Sequence, residues 1–333
     1  MRKTALSIAT LGALLAFALP QTASAQNARS WVASYGSDSN TCTRTSPCAS
    51  FAGALSKTNA GGEINCVDQG DFGGTSIAKA ITIDCEGVQG RVGGLTASGA
   101  FAVSVQAAET DVVVLRGLDI EGNGVDNAVG SVGVAFLSGG VLHIEKCVIR
   151  NFTFPNIGWG ILAAPDINIT SELFVSDTVL ENNGTPSSGG GISVAPKVAN
   201  GITRVTLSRV EVRNNFFGIK ADGTAASGGV INMTVRDSLA AGNRSNGIVA
   251  TGTASGPAII MMVERSNSSQ NATAGFGVIA DGPKTRIELT GSTVMGNMNG
   301  IGASNGGALV SYQNNNVSLN SVDGSPTAVI SPK

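Results

Sequence analysis

Asp177, Arg209 and Asp237 hold the same place in three successive copies of a nine-residue phrase. Two carboxylates around a guanidinium are the residue types that acid–base cleavage of a glycosidic bond uses. The copies are LRGLDIEGN (115–123), IEKCVIRNF (144–152), VSDTVLENN (175–183), LSRVEVRNN (207–215), VRDSLAAGN (235–243), VERSNSSQN (263–271), LTGSTVMGN (289–297) and YQNNNVSLN (312–320). Their ninth residues are 29, 31, 32, 28, 28, 26 and 23 positions apart. A period of this length marks a solenoid, in which equal positions of successive coils stack. Asp177 and Asp237 then lie two coils apart, roughly 9–10 Å along the backbone, near the upper end of the separation for inverting hydrolysis.

The full third column reads Gly117, Lys146, Asp177, Arg209, Asp237, Arg265, Gly291, and the seventh reads Glu121, Arg150, Glu181, Arg213, Ala241. Signs alternate in both columns while charges last. Alternation is what stacked charges need, at about 0.2–1 kcal/mol per exposed pair. Flanking arginines keep both aspartates ionised, so a general acid is missing. The column therefore reads first as a structural ladder. Asp177, Arg209 and Asp237 are kept as the catalytic candidates.

Other residues carry weaker signals. His143, the single histidine, precedes an inward position and should face out. No second His and no cysteine pair has zinc spacing. Asp119, Glu121 and Asp126 lie close in one coil, a faint calcium signal; otherwise no cofactor is implied. In FTFPNIGW (152–159), Phe152 replaces the recurrent Asn, with Phe154 and Trp159 close behind. Phe217 is expected in the column of Phe154, two coils on. Phe154, Trp159 and Phe217 are candidate contacts for a sugar or protein if exposed; Phe152 and Trp159 can instead fold inward as local core. Of five cysteines, Cys42 with Cys48 and Cys66 with Cys85 are the favoured disulfides, although spacing does not settle connectivity. Cys147 remains, at an inward position, as a buried thiol.

The elements that must position these residues follow from the phrase. Two residues before each copy stand Val113, Leu142, Leu173, Val205, Met233, Met261, Ile287 and Val310; first positions run from Leu115 to Tyr312. That is the period-two alternation of a half-buried strand. The inward set then shifts by one, to the fourth and sixth positions, so the chain must bend there. The recurrent Asn suits a turn with left-handed backbone and can bond along its own column. After it come a small and an apolar residue, such as Gly191-Ile192 and Gly218-Ile219, opening a third strand. The fold class is all-β: a single-domain right-handed parallel β-helix of about ten coils, the hand following the general preference of parallel crossovers. CASFAGALSKTN (48–59) should form a short capping helix.

Residues 1–25 have the charged start, apolar run and small-residue end of a signal peptide, cleaved after Ala25. Residues 26–62 form the N-terminal segment and helix, 63–320 the β-helix, and 321–333 a short tail. The tail caps weakly, so the C-terminal end is a possible oligomer contact. Formal net charge −2 gives no basic field, which speaks against nucleic acid as a partner. No later segment has the apolar length of a membrane span.

The phrases resemble the repeats of the pectin-lyase-like superfamily. The stretch WVASYGSDSNTCTRTSPCASFAGALSKTNAGGEINCVDQGDFGG (31–74) resembles the start of many secreted members, with a Gly-Ser-Asp stretch, a capping helix, a strand and a Gly-rich turn. Characterised members are mostly polysaccharide lyases, polygalacturonases, pectin methylesterases and epimerases. Their signatures (a WIDH-like motif, the NTD, DD, GHG and RIK set, QDTL and DFIFG) are absent, so no catalytic residue carries over. The nearest likeness is to uncharacterised bacterial exported β-helix proteins. The preferred expectation is an exported, secreted or periplasmic, non-catalytic module that contacts carbohydrate or another envelope component. The alternatives are a polysaccharide lyase or glycoside hydrolase with an atypical site, and a structural spacer or adhesin shaft.

Overall fold

Each coil lays down three short parallel strands, and three sheets run the length of the molecule. The computed structural model describes residues 26–88, 90–93, 101–122, 132–153, 157–271 and 275–331. Residues 1–25, Asp126 and Phe154 lie outside them. Among the described residues the first sheet has 12 strands, the second 10 and the third 9, each ordered along the helix axis. That gives about nine turns rather than about ten. One coil consists of Ile202–Ser208, Glu211–Arg213 and Phe217–Asp222. The next repeats it in register, with Val205 opposite Met233, Val212 opposite Ala240 and Ile219 opposite Ile248. Stacking satisfies the backbone groups that a lone coil would expose.

The bend after the first strand falls where the alternation slips. Lys146, Asp177, Arg209, Asp237 and Arg265, the third residues of their phrases, all have positive φ, between 43° and 54°. The following fourth residues point inward, and their hydroxyls serve the coil before: Ser238 Oγ accepts from Val210 N at 3.1 Å, and Ser266 Oγ from Ser238 N at 3.2 Å.

The second turn departs from expectation in one respect. Its left-handed residue is the eighth of the phrase (Asn182, Asn214, Gly242, Gln270), not the recurrent ninth Asn. The ninth residue is released to form a buried ladder. Asn183, Asn215, Asn243 and Asn271 each donate through Nδ2 to the Oδ1 of the next ladder Asn, at 3.0, 3.2, 2.9 and 3.0 Å. Each of these oxygens also accepts a backbone N–H from the coil before. The small residue opening the third strand has a steric reason: a Cβ on Gly218 would come within 2.9 Å of Asn243 Nδ2. Phe152 ends the ladder by turning fully inward, and Asn183 Oδ1 accepts its backbone N–H at 3.1 Å.

The last copy of the phrase is offset at its start. Leu309, not Val310, is opposite Ile287, and Ser311, not Tyr312, is opposite Leu289. One extra residue is taken up at the bend around Gln313, which has positive φ. Tyr312 instead faces out and donates its hydroxyl to Glu288 at 2.9 Å.

At the N-terminal end the helix Phe51–Lys57 buries Phe51 and Ala54 across the first coil, and Phe51 meets Phe72 edge to face at 5.3 Å. Ser50 caps it by accepting from Gly53 N at 2.9 Å. Asn27–Val32 adds a strand before the first coil, and Ala328–Val329 adds one after Ala308–Ser311. Cys42 is bonded to Cys48 and Cys66 to Cys85; Cys147 is free and buried. Among the described residues no helix is long and apolar enough to cross a membrane.

Candidate functional site

The left-handed bend pushes the third-position charges outward along one edge of the solenoid, where Arg209, Asp237 and Arg265 help line a cleft of about 500 Å³. Each arginine reaches back to the aspartate of the coil before. Arg209 forks onto Asp177 at 2.6 and 2.8 Å, and Arg265 onto Asp237 at 2.8 and 3.0 Å. Of the three catalytic candidates, Asp177 and Arg209 are thus joined, while Asp237 is joined to Arg265. The hydrogen bonds from Arg209 and Arg265 hold the two carboxyls below the ordinary carboxylate range. Both are anions at neutral pH, so neither is a ready proton donor. Lys146 pairs with Glu86 rather than with Asp177.

A second charge cluster lies on the second sheet. Arg150 binds Asp119 at 2.7 Å and Glu121 at 3.4 Å, and Arg91 binds Glu121 at 3.0 Å. Burial pushes the Asp119 carboxyl up despite Arg150. Two guanidinium groups pair with these carboxylates, while Asp119 Oδ1 is buried without a hydrogen-bond partner among the described residues. Among the described residues no group of three possible ligand side chains could hold a metal. His143 faces out and stacks on Phe174, with ring centroids 4.9 Å apart.

The aromatic candidates divide. Phe152 is core, whereas Trp159 and Phe217 are half-exposed on the outer face of the third sheet. Phe217 shares its column with Trp159, which lies opposite Gly190, itself opposite Phe217. The expectation had placed it in the column of Phe154, which lies outside the described residues; strand pairing places it in the column of Trp159. The two rings are parallel to within 10° with centroids 6.3 Å apart, spanning the bare backbone of Gly190. Lys220 Nζ lies 5.0 Å from the Phe217 centroid and 2.7 Å from Asp222. Burial pushes the Asp222 carboxyl up, but Lys220 and Thr224 outweigh it and hold it below its ordinary range.

The column is longer than the pair. Phe101 is opposite Val132, Val132 opposite Trp159, and Phe276 opposite Asn299. Flanking register puts Asn246 between Phe217 and Phe276. An aromatic therefore stands in every second coil, with Val132, Gly190, Asn246 and Asn299 between and beyond. The signal was present in the chain, since Phe101, Trp159, Phe217 and Phe276 are 58, 58 and 59 residues apart. A search at the single-coil period passes over it.

A further cleft, of about 420 Å³, lies between the N-terminal helix and Thr75–Ile77, walled by Ala52, Leu55, Ala78 and Lys79. Lys79 donates to the carbonyl oxygens of Leu55, at 2.9 Å, and Thr58, so its ammonium closes the helix C-terminus. Burial lowers its pKa.

The architecture is a parallel β-helix. Pectate lyase Pel9A superposes over 85% of this chain and 67% of its own with a TM-score of 0.50 and 14% identity. A GH136 lacto-N-biosidase from Eubacterium ramulus superposes over 92% and 67% with a TM-score of 0.46 and 10% identity. At these identities the likeness is one of fold. No family model matches the sequence. No curated protein matches it either.

Proposed function

We propose that this chain is an exported, non-catalytic β-helix module that contacts carbohydrate through the outer face of its third sheet. The observation that carries this reading is the parallel, half-exposed pair Trp159–Phe217 in a chain only 5% aromatic. Aromatic faces are electron-rich and favour the C–H face of a sugar ring. The charged edge supports the same reading from the other side, because each aspartate of the catalytic trio is held ionised by its own arginine. Fold is shared with a pectate lyase, whose name denotes a carbohydrate substrate. Export is supported by the composition of residues 1–25 and by two disulfides, which belong to an oxidising compartment.

The test is a glycan array with the mature protein, followed by calorimetry on the best ligand. Trp159→Ala is expected to weaken binding by about 1–3 kcal/mol, the scale of a central aromatic contact, with thermal unfolding unchanged. A loss of about 3–5 kcal/mol in stability would mark Trp159 as core instead. Assays for reducing ends and unsaturated products run beside it. Product release that disappears in Asp237→Asn would overturn the non-catalytic reading.

A further inference from the structure

We infer that the third-sheet aromatic column is a track for an extended, neutral, β-1,4-linked hexose chain lying along the helix axis, with one ring beneath every second sugar; this rests on the carbohydrate-contacting reading above. Successive coils are about 4.8 Å apart, so the backbone positions of Phe101, Trp159, Phe217 and Phe276 recur every ~9.6 Å, while the Trp159 and Phe217 rings lean together across Gly190 to 6.3 Å. The backbone repeat, rather than the present ring spacing, is close to the two-sugar repeat of an extended β-1,4 chain, so the Trp159 and Phe217 rings must part on binding. Each sugar in such a chain is turned over relative to the last, so the same face returns only at every second unit. A track with rings in alternate coils meets that face each time, and a ring in every coil would not. An α-1,4 chain curls away from a straight row.

The surface beside the rings fits the same ligand. The neighbouring outward column runs Ala135, Leu162, Ser193, Lys220, Val249 and Ile279; Leu162 and Lys220 are partly exposed and the other four are buried although they face away from the solenoid core, which makes a low, mixed floor. Beyond it stand Asp222, Thr251, Asp281 and Ser304, opposite one another in successive coils and able to take or give hydrogen bonds to hydroxyls. Charge decides the ligand class. Lys220 is neutralised by Asp222, and Asp281 adds a further negative charge, taking Ser304 Oγ at 2.6 Å and Asn305 Nδ2 at 2.7 Å as its partners. The strip is net negative. It repels a polyuronate and leaves a neutral chain unopposed.

Packing offers a competing explanation for the large–small alternation. A Cβ on Gly190 would come within 2.8 Å of Trp159 Cζ3, so a small neighbour suits a large ring. Packing alone makes no demand on a ligand's length or linkage. The experiment is therefore titration of the full mature chain with β-1,4 gluco-oligosaccharides of two to eight units, with α-1,4 gluco-oligosaccharides and oligogalacturonates beside them. Affinity should climb with length and level off near about six sugars, the reach from Phe101 to Phe276 at coil spacing. Trp159→Ala should cost the hexamer roughly tenfold and the dimer much less, because the longer chain spans more of the row. Phe276→Leu, which keeps an apolar side chain but no ring, should make the hexamer bind like the tetramer, with thermal unfolding as the check on folding. Trp159-dependent binding that ignores length or linkage, or that prefers oligogalacturonate, overturns the track and leaves the carbohydrate reading standing. Absence of binding to every glycan overturns both.

Discussion

Replacing Asn243 by Ala tests the buried amide ladder, the feature that locks each turn to the next. Asn243 is 1% exposed. Its Nδ2 donates to Val212 O at 3.1 Å and Asn271 Oδ1 at 2.9 Å. Its Oδ1 accepts from Asn215 N at 3.1 Å and Asn215 Nδ2 at 3.2 Å. Four bonds at about 1 kcal/mol each give a loss near ~4 kcal/mol. A water in the vacated space would restore part of it, which brings the expected loss to about 2–4 kcal/mol. Asn215 Nδ2 keeps Leu180 O and Arg213 O, so the N–H of Asn215 is the donor left most exposed to loss. Urea unfolding followed by circular dichroism measures the total. Hydrogen exchange of the Asn215 amide measures the local effect, which matters because coils of a solenoid need not unfold together. Asn232→Ala, on the exposed face of the first sheet, is the control. A midpoint no lower than the control's, with Asn215 still protected, would refute the ladder as a source of stability.

Three further outcomes follow from the charged edge and the buried thiol. Asp177 and Asp237 have folded pKa values below their unfolded ones, so their stabilisation is present above the unfolded carboxylate pKa of about 3.9 and is lost as pH falls through the folded values. The acid-side loss of stability should therefore shrink in Arg209→Gln/Arg265→Gln, and an unchanged acid limb would count against the pairing. Arg209→Asp places a third acidic group between Asp177 and Asp237 and should destabilise more at low salt than at high salt, since exposed charges are screened; adding Asp177→Arg should restore part of the loss, and equal effects at both salts would dismiss the ladder. Burial pushes the Cys147 thiol up to about 12, so a thiol reagent should modify it only at the rate of unfolding, and rapid labelling of the native protein would mean the inward column is misassigned.

The repeat made the fold legible because a parallel β-helix imposes the same environment at the same phrase position in every coil. Alternation before Asp177, the slip of one residue and the return of Gly before the third strand each name a local constraint that the structure realises. Side-chain direction at the turn was less legible: Asn suits both a left-handed turn and a stacked ladder, and composition alone does not reveal that Asn182 does the first and Asn183 the second. Tyr312 was misplaced for a related reason, since one inserted residue at Gln313 shifts the register without disturbing the phrase. The aromatic face was hidden by scale. Phe101, Trp159, Phe217 and Phe276 obey a period of two coils, and their link passes through turns of unequal length, so Phe217 looked aligned with Phe154 until strand pairing placed it over Trp159. The same two-coil period governs Asp177 with Asp237 and Arg209 with Arg265. For the charges, electrostatics alone demands it, because neighbours must alternate in sign. No such rule applies to neutral rings. Packing accounts for a small residue beside each ring, but Val132, Gly190, Asn246 and Asn299 differ widely in size, and steric need alone does not select the same alternation four times over. The ligand track proposed above, with a repeat that spans two coils, would supply the missing reason, and the oligosaccharide titration decides whether the third sheet rather than the charged edge carries the function.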